Sequence, residues 1–201
     1  MLVYDNDGIM VYCRIMFPDA SGRLEQSEAE RAAVRMLIAE AFPHRDAPVL
    51  CHHPTGAPFL EGVDAAVSVS HCRGCVCVAL GSSGCRIGID AESCMRGAQL
   101  RRVAGKFLSP RQLAGWGVDE TRLLRAWTVK EAVYKAASVP GLPLHEIPLP
   151  DVLEEEGGDV LLQGRCYEIK PLEVSGFGGM VTLAVGKTAD EALSEPGKMW
   201  G

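Results

Sequence analysis

Three short stretches carry side chains suited to phosphate or metal chemistry. In Ser68-Val69-Ser70-His71-Cys72-Arg73-Gly74, small and β-branched residues lead into Ser70-His71. This pair offers a hydroxyl and an imidazole to a phosphate or a carbonyl. In Ile87-Gly88-Ile89-Asp90-Ala91-Glu92 the two acids lie two residues apart, so on a strand both point to one face. Acids that share a face need water or a common cation, and carboxylates with water and phosphate oxygens suit magnesium. Gly88 permits the close approach of a ligand or a backbone. In Trp127-Thr128-Val129-Lys130-Glu131-Ala132-Val133-Tyr134-Lys135, helical spacing puts Trp127, Glu131 and Lys135 on one face. Each stretch also has a plainer reading. His71 would cap a strand and face water, and Asp90 and Glu92 would sit on a solvated strand end. Glu131–Lys135 would be a helix-stabilising pair worth about 0.3–0.5 kcal/mol, which leaves Trp127 unexplained.

These residues must be positioned by elements that local patterns predict. Residues 1–17 read as a strand or hairpin around Asp5-Asn6-Asp7-Gly8, and Pro18 to Gly22 as a turn. A helix is expected from Ser27, with Glu30 three residues on, to about Phe42, where Pro43 stops it. Val49 to His52 is a short strand followed by the turn Pro54-Thr55-Gly56. Ala66–Ser70, Cys75–Leu80 and Arg86–Asp90 read as three strands of one antiparallel sheet against that helix. Helices follow over 98–107 and 110–115, the latter opened by Ser109-Pro110. The longest helix runs from Glu120 to Ser138 and stops at Val139-Pro140-Gly141-Leu142-Pro143. Strands return over 147–187, broken at 154–159 and 176–179, and the tail after Thr188 is polar. Each half is thus a helical segment with strands, an α+β chain.

Composition bounds the class. The chain has 201 residues, 47% hydrophobic and 23% charged, ordinary for a globular protein of one or two domains and incompatible with disorder as the main state. A net charge of −6 argues against a generally basic nucleic-acid binder. Apolar runs reach about six residues, too short to span a bilayer. Asp5 and Asp7 interrupt the first apolar stretch, unlike a secretory signal. The expected location is therefore cytoplasmic, with the eight cysteines mostly as free thiols. Cys72-Arg73-Gly74-Cys75 has the spacing of half a zinc site that His52 and His53 would complete, but no second well-spaced pair follows. The alternative is that Cys75 and Cys77 alternate with Val76 and Val78 along a buried strand as small hydrophobes.

Taken together, Ser70-His71-Cys72-Arg73-Gly74, Gly88-Ile89-Asp90-Ala91-Glu92 and Trp127 to Lys135 resemble the motifs of the 4′-phosphopantetheinyl transferases of the surfactin-synthetase-activating type. Asp90 and Glu131 are 41 residues apart, within that family's range. The resemblance implies two similar α+β lobes, 1–97 and 98–201, with coenzyme A in the cleft between them. It implies magnesium-dependent transfer of the phosphopantetheine arm to a serine of an apo carrier protein, with release of adenosine 3′,5′-bisphosphate. It makes Asp90, Glu92 and Glu131 the metal ligands and Ser70 and His71 contacts of the coenzyme A 3′-phosphate. Lys135 becomes the pyrophosphate contact, and Gly56 and Pro58 part of a coenzyme A-binding turn. Asp90, Glu131 and Lys135 carry the chemistry, with Glu131 or a metal-bound water as acceptor of the serine proton.

Two positions depart from the family pattern. Gly56-Ala57-Pro58 stands where a Lys or Arg often fills the middle place, and Gln112 stands where a glutamate often follows Phe107-Leu108-Ser109. A neutral amide cannot accept a proton as a carboxylate does. The expected partner is an acidic acyl, polyketide or peptidyl carrier protein. The protein is expected to be a monomer that uses neither nucleic acid nor membrane. Two other readings stand beside this one: a non-catalytic relative that binds coenzyme A or a carrier, and a metal-dependent phosphohydrolase using the same acids.

Overall fold

The computed structural model describes residues 1–17, 23–117, 119–150 and 157–187. The turn expected at 18–22, the residues 154–156 and the tail after Thr188 lie outside them. Strands β1 (Leu2–Asn6) and β2 (Ile9–Ile15) form the expected hairpin over Asp7 and Gly8, both at positive φ. Helix α1 spans Arg23–Ala41, so Ser27 lies inside it rather than capping it. Leu24, Glu25 and Gln26 are good helix formers, and Gln26 donates to Glu30 at 3.0 Å one turn on. A short hairpin follows, β3 (Leu50–His52) with β4 (Pro58–Leu60). β4 has no clear sequence signal, being three residues that start on a proline.

Strands β5 (Ala65–Cys72) and β6 (Cys75–Ser82) form the next hairpin. Cys72 lies opposite Cys75, and Arg73-Gly74 is the two-residue turn, with Gly74 at φ +100°. The Cys-x-x-Cys spacing is therefore that of a tight turn. The first sheet has the order β1-β2-β6-β5.

Strand β7 (Ile87–Ser93) departs from expectation. It does not join the first-half sheet. It pairs antiparallel with β10 (Gly179–Gly186), nearly ninety residues later, in a second sheet of order β7-β10-β9-β8. β8 spans Gly158–Leu162 and β9 Arg165–Leu172. Pairing thus crosses the expected boundary at 97/98. Between β7 and β8 come α2 (Gly97–Phe107), α3 (Pro110–Trp116) and α4 (Glu120–Ala137). Ser109 caps α3 in a reciprocal box with Gln112, and Asp119 caps α4 by accepting from the Arg122 amide.

The sheets pack face to face. One core cluster lies between them, with Val11, Cys13, Cys75, Cys77 and Ala79 from the first and Ile89, Ala91, Val181 and Leu183 from the second. α1 covers the outer face of the first sheet through Ala33, Val34, Leu37 and Ile38. α4 covers the outer face of the second through Val129, Ala132, Val133 and Ala136. The layers are therefore helix, sheet, sheet, helix, as period-2 and period-3.6 apolar faces require. Among the described residues no helix is long and apolar enough to cross a membrane.

Candidate functional site

β7 is an edge strand, and its outer backbone groups need partners. Side chains supply them. Ser68 Oγ accepts from the Ile89 amide at 3.0 Å, and Ser70 Oγ from the Ala91 amide at 3.1 Å. Lys135 Nζ donates to the Ile89 carbonyl at 2.8 Å. The sheets are thus stitched at β5 and β7 by two serine hydroxyls rather than by a continuous ladder.

The same stitching forms the acid site. Asp90 is buried on the α4-facing side of β7, and its Oδ1 accepts from Ser70 Oγ at 3.0 Å and Lys135 Nζ at 2.8 Å. Among the described residues its Oδ2 is buried without a hydrogen-bond partner. Burial pushes the Asp90 carboxyl above the usual carboxylate range, opposed by Lys135, Ser70 and Arg96. Glu131, one helical turn from Lys135, is pushed up by burial and by the Asp90 and Glu92 charges, against Lys135 and Arg96. Glu92 is buried too; one oxygen accepts from the Ser93 amide at 3.0 Å and the other is ion-paired to Arg96. An orphaned buried carboxylate oxygen beside two further acids fits a hard cation with oxygen ligands. The three carboxylates are near one another but not gathered to ligating distance. Among the described residues the one group of three ligand atoms within 4.8 Å of each other is Cys13, Cys75 and Cys77.

Lys135 also lines a cleft of about 580 Å³. Gly56, Ala57 and Pro58 of the β3–β4 turn form another wall, with His52, His53 and Arg86 as further basic groups. Gly56 holds φ +87°, and the His53 amide donates to the Ala57 carbonyl at 2.9 Å, fixing the turn. Three of the sequence-singled residues, Gly56, Pro58 and Lys135, thus share this cleft, with Asp90 bonded behind Lys135. His71 is exposed and turned to α1, its Nδ1 3.0 Å from Glu30 Oε2. The period of two places Ser70 and His71 on opposite faces of β5, so only Ser70 meets Asp90.

Lys130 and Gln112 lie elsewhere. Lys130 is fully buried, and its Nζ donates to Gln112 Oε1 at 3.0 Å, the Leu144 carbonyl at 2.8 Å and the Ile147 carbonyl at 2.5 Å. Gln112 Nε2 in turn donates to the Ile147 carbonyl at 2.9 Å. Gln112 therefore serves the α3 cap and the Lys130 cage. Arg96 and the Lys130 cage were not apparent from the sequence. A basic residue four positions after Glu92 was the only available signal for the first, and the second depends on a loop 14–17 residues along the chain.

Buried Asp90 is thus tied to a cleft-lining lysine. Residues 86–163 match the model of the 4′-phosphopantetheinyl transferase superfamily. The match carries Asp90, Glu92, Glu131 and Lys135 and runs from the start of β7 to just past β8. Ser70, His71 and the Gly56–Pro58 turn lie outside it. The phosphopantetheinyl transferase match supports phosphopantetheinyl transfer as the class of activity, with coenzyme A and carrier proteins as the family's substrates. A search of curated proteins finds no significant match.

Proposed function

We propose that this chain transfers the 4′-phosphopantetheine arm of coenzyme A to a serine of an apo carrier protein, as the surfactin-synthetase-activating type does. In this reading 1–97 and 98–201 act as two α+β lobes with the substrate between them, although β7 pairs across that division. The observation that carries the reading is Asp90. One of its oxygens is held by Ser70 and by Lys135, which lines the cleft, and the other is buried and unpartnered among the described residues, as a cation ligand would be.

Coenzyme A would lie in the cleft between the Gly56–Pro58 turn and Lys135. Arg86 supplies positive charge there in place of a base at Ala57, His52 and His53 offer ring nitrogens, and His71 serves the 3′-phosphate only after leaving Glu30. Asp90, Glu92 and Glu131 would hold magnesium, which when bound neutralises charge building on the pyrophosphate oxygens. The carrier serine Oγ forms a bond to the phosphorus bearing the pantetheine arm. The bond from that phosphorus to the bridging oxygen breaks, and adenosine 3′,5′-bisphosphate leaves with the electron pair. Lys135 Nζ would stabilise the departing phosphate. The serine proton goes to a Glu131 carboxylate oxygen that is not used to hold the metal. Gln112 is engaged with Ser109, Lys130 and Ile147 and takes no part.

The carrier partner is acidic in this reading. Residues 98–135 hold eight basic and three acidic residues, +5, leaving −11 elsewhere. The protein acts as a cytoplasmic monomer. Mass spectrometry of apo carrier proteins incubated with coenzyme A, magnesium and this chain tests the reading. The expected result is addition of one phosphopantetheine per carrier. Release of inorganic phosphate from nucleotides without a carrier would identify a phosphohydrolase instead, and coenzyme A binding without transfer a non-catalytic relative.

A further inference from the structure

Arg96 occupies a place in the acid cluster that the transfer chemistry above does not use. It follows β7 in a short 3₁₀ turn, Cys94–Arg96, pinned by the Met95 amide donating to Ser93 Oγ at 3.3 Å. Its guanidinium is ion-paired with Glu92 and lies 5.0 Å from the centre of the Trp127 ring, on the face of α4 that also carries Glu131. Its Nε donates to Gln99 at 3.3 Å. Its charge also acts on Asp90 and Glu131.

Three largely buried carboxylates without a cation would repel one another and lack solvation. Lys135 answers Asp90, and Arg96 answers Glu92. Because Arg96 holds Glu92, and Lys135 holds Asp90, the three acids stay close without converging on a point. Arg96 meets its acid from the solvent side. Its side chain is 35% exposed while that of Glu92 is 8% exposed, so the guanidinium can swing into water while the carboxylate cannot. The indole face gives it a defined resting place.

We propose that Arg96 is a built-in counter-ion of the Asp90–Glu92–Glu131 site, displaced from Glu92 and Trp127 when a divalent cation binds. It keeps the acids assembled before metal arrives, and it sets the metal affinity because every binding event breaks its ion pair. The proposal rests on the reading of these acids as a metal site.

Titration calorimetry with Mn²⁺ alone, on the full chain, tests it with R96Q, R96K and D90A. R96Q keeps a planar group on Trp127 but removes the charge. It is expected to bind Mn²⁺ about tenfold more tightly than the parent, equivalent to about 1.4 kcal/mol. R96K should stay near the parent, and D90A should bind more weakly. Separately, saturating Mg²⁺ should change tryptophan emission in the parent as the guanidinium leaves the indole, and not in W127F or R96Q. If D90A weakens Mn²⁺ binding but R96Q binds no tighter than the parent, the counter-ion proposal falls and the metal site stands. If D90A binds Mn²⁺ as the parent does, the metal reading falls and takes the proposal with it. The parent's emission needs no variant to fold, and its invariance on Mg²⁺ saturation would also overturn the displacement.

Discussion

Gly88 of β7 and Ala132 of α4 meet backbone to backbone. A Cβ on Gly88 would overlap the Ala132 carbonyl oxygen and lie 2.6 Å from the Ala136 amide nitrogen. The missing side chain lets the helix rest directly on the strand, and that closeness lets Lys135 reach Asp90 and Ile89. Gly88→Ala is therefore expected to lower stability by about 1–3 kcal/mol, the range for overpacked cores. Transfer activity should fall with it even below the melting transition. Thermal denaturation read alongside turnover checks both; an unchanged melting temperature would mean that the contact is not tight.

Asp90→Ala and Glu131→Gln should each abolish transfer while leaving the circular dichroism spectrum intact. The first removes oxygen ligands, and the second replaces a carboxylate with an amide that neither carries charge nor accepts the serine proton. Near-normal turnover of either in saturating magnesium would remove that residue from the chemistry.

Arg101 and Arg102 are exposed on α2, with Arg101 3.7 Å from Glu120. Reversing both to Glu should raise the KM for an acidic carrier and flatten its salt dependence, leaving coenzyme A affinity alone. Steady-state kinetics over a range of ionic strength decides it; an unchanged carrier KM places the docking face elsewhere.

Ala57 lines the cleft between Gly56 and Pro58. A lysine there would add one charge-assisted contact to a coenzyme A phosphate, worth about 0.5–1.5 kcal/mol. Ala57→Lys should thus tighten binding roughly 2- to 12-fold, with the gain erased by high salt. Calorimetry with coenzyme A and its 3′-dephospho form identifies the phosphate met. Equal affinity of parent and variant for both at low salt would show that the turn does not face the ligand.

Burial pushes the Lys130 ammonium down to about 7. The unfolded chain holds that proton more tightly, so unfolding takes up a proton between about pH 7 and the ordinary lysine value near 10.4. Stability from this group therefore rises with pH across that window. Lys130→Met should remove this slope without orphaning an acceptor. Gln112 Oε1 keeps the Ser109 amide, the Leu144 carbonyl keeps the Ile147 amide, and the Ile147 carbonyl keeps Gln112 Nε2. Denaturant titrations of both proteins at pH 7 and 9 measure the difference; parallel pH dependence would mean that Lys130 titrates normally.

Local signals placed most elements. The Ser109–Gln112 cap, the stop after Ala137 and the Cys72–Cys75 turn are written within a few residues, because capping and turn geometry are short-range. The spacing of Asp90 and Glu92, and of Trp127, Glu131 and Lys135, likewise showed which side chains share a face, since backbone periodicity alone decides that. Partnership across the chain is a different quantity. Nothing in Ile87–Ser93 says that its ladder is β10 rather than β5, because strand choice depends on what a distant segment offers and how both faces are buried. The same limit hid the serine stitches from β5 and the turning of His71 to Glu30. It also hid the role of Arg96, whose neighbours come together only once α4 lies on Gly88. Residue types and the strand and helix periods name the acids, the lysine and the faces they share. The distances between them were decided by tertiary packing, where one missing Cβ and two edge-strand amides set how closely strand and helix meet.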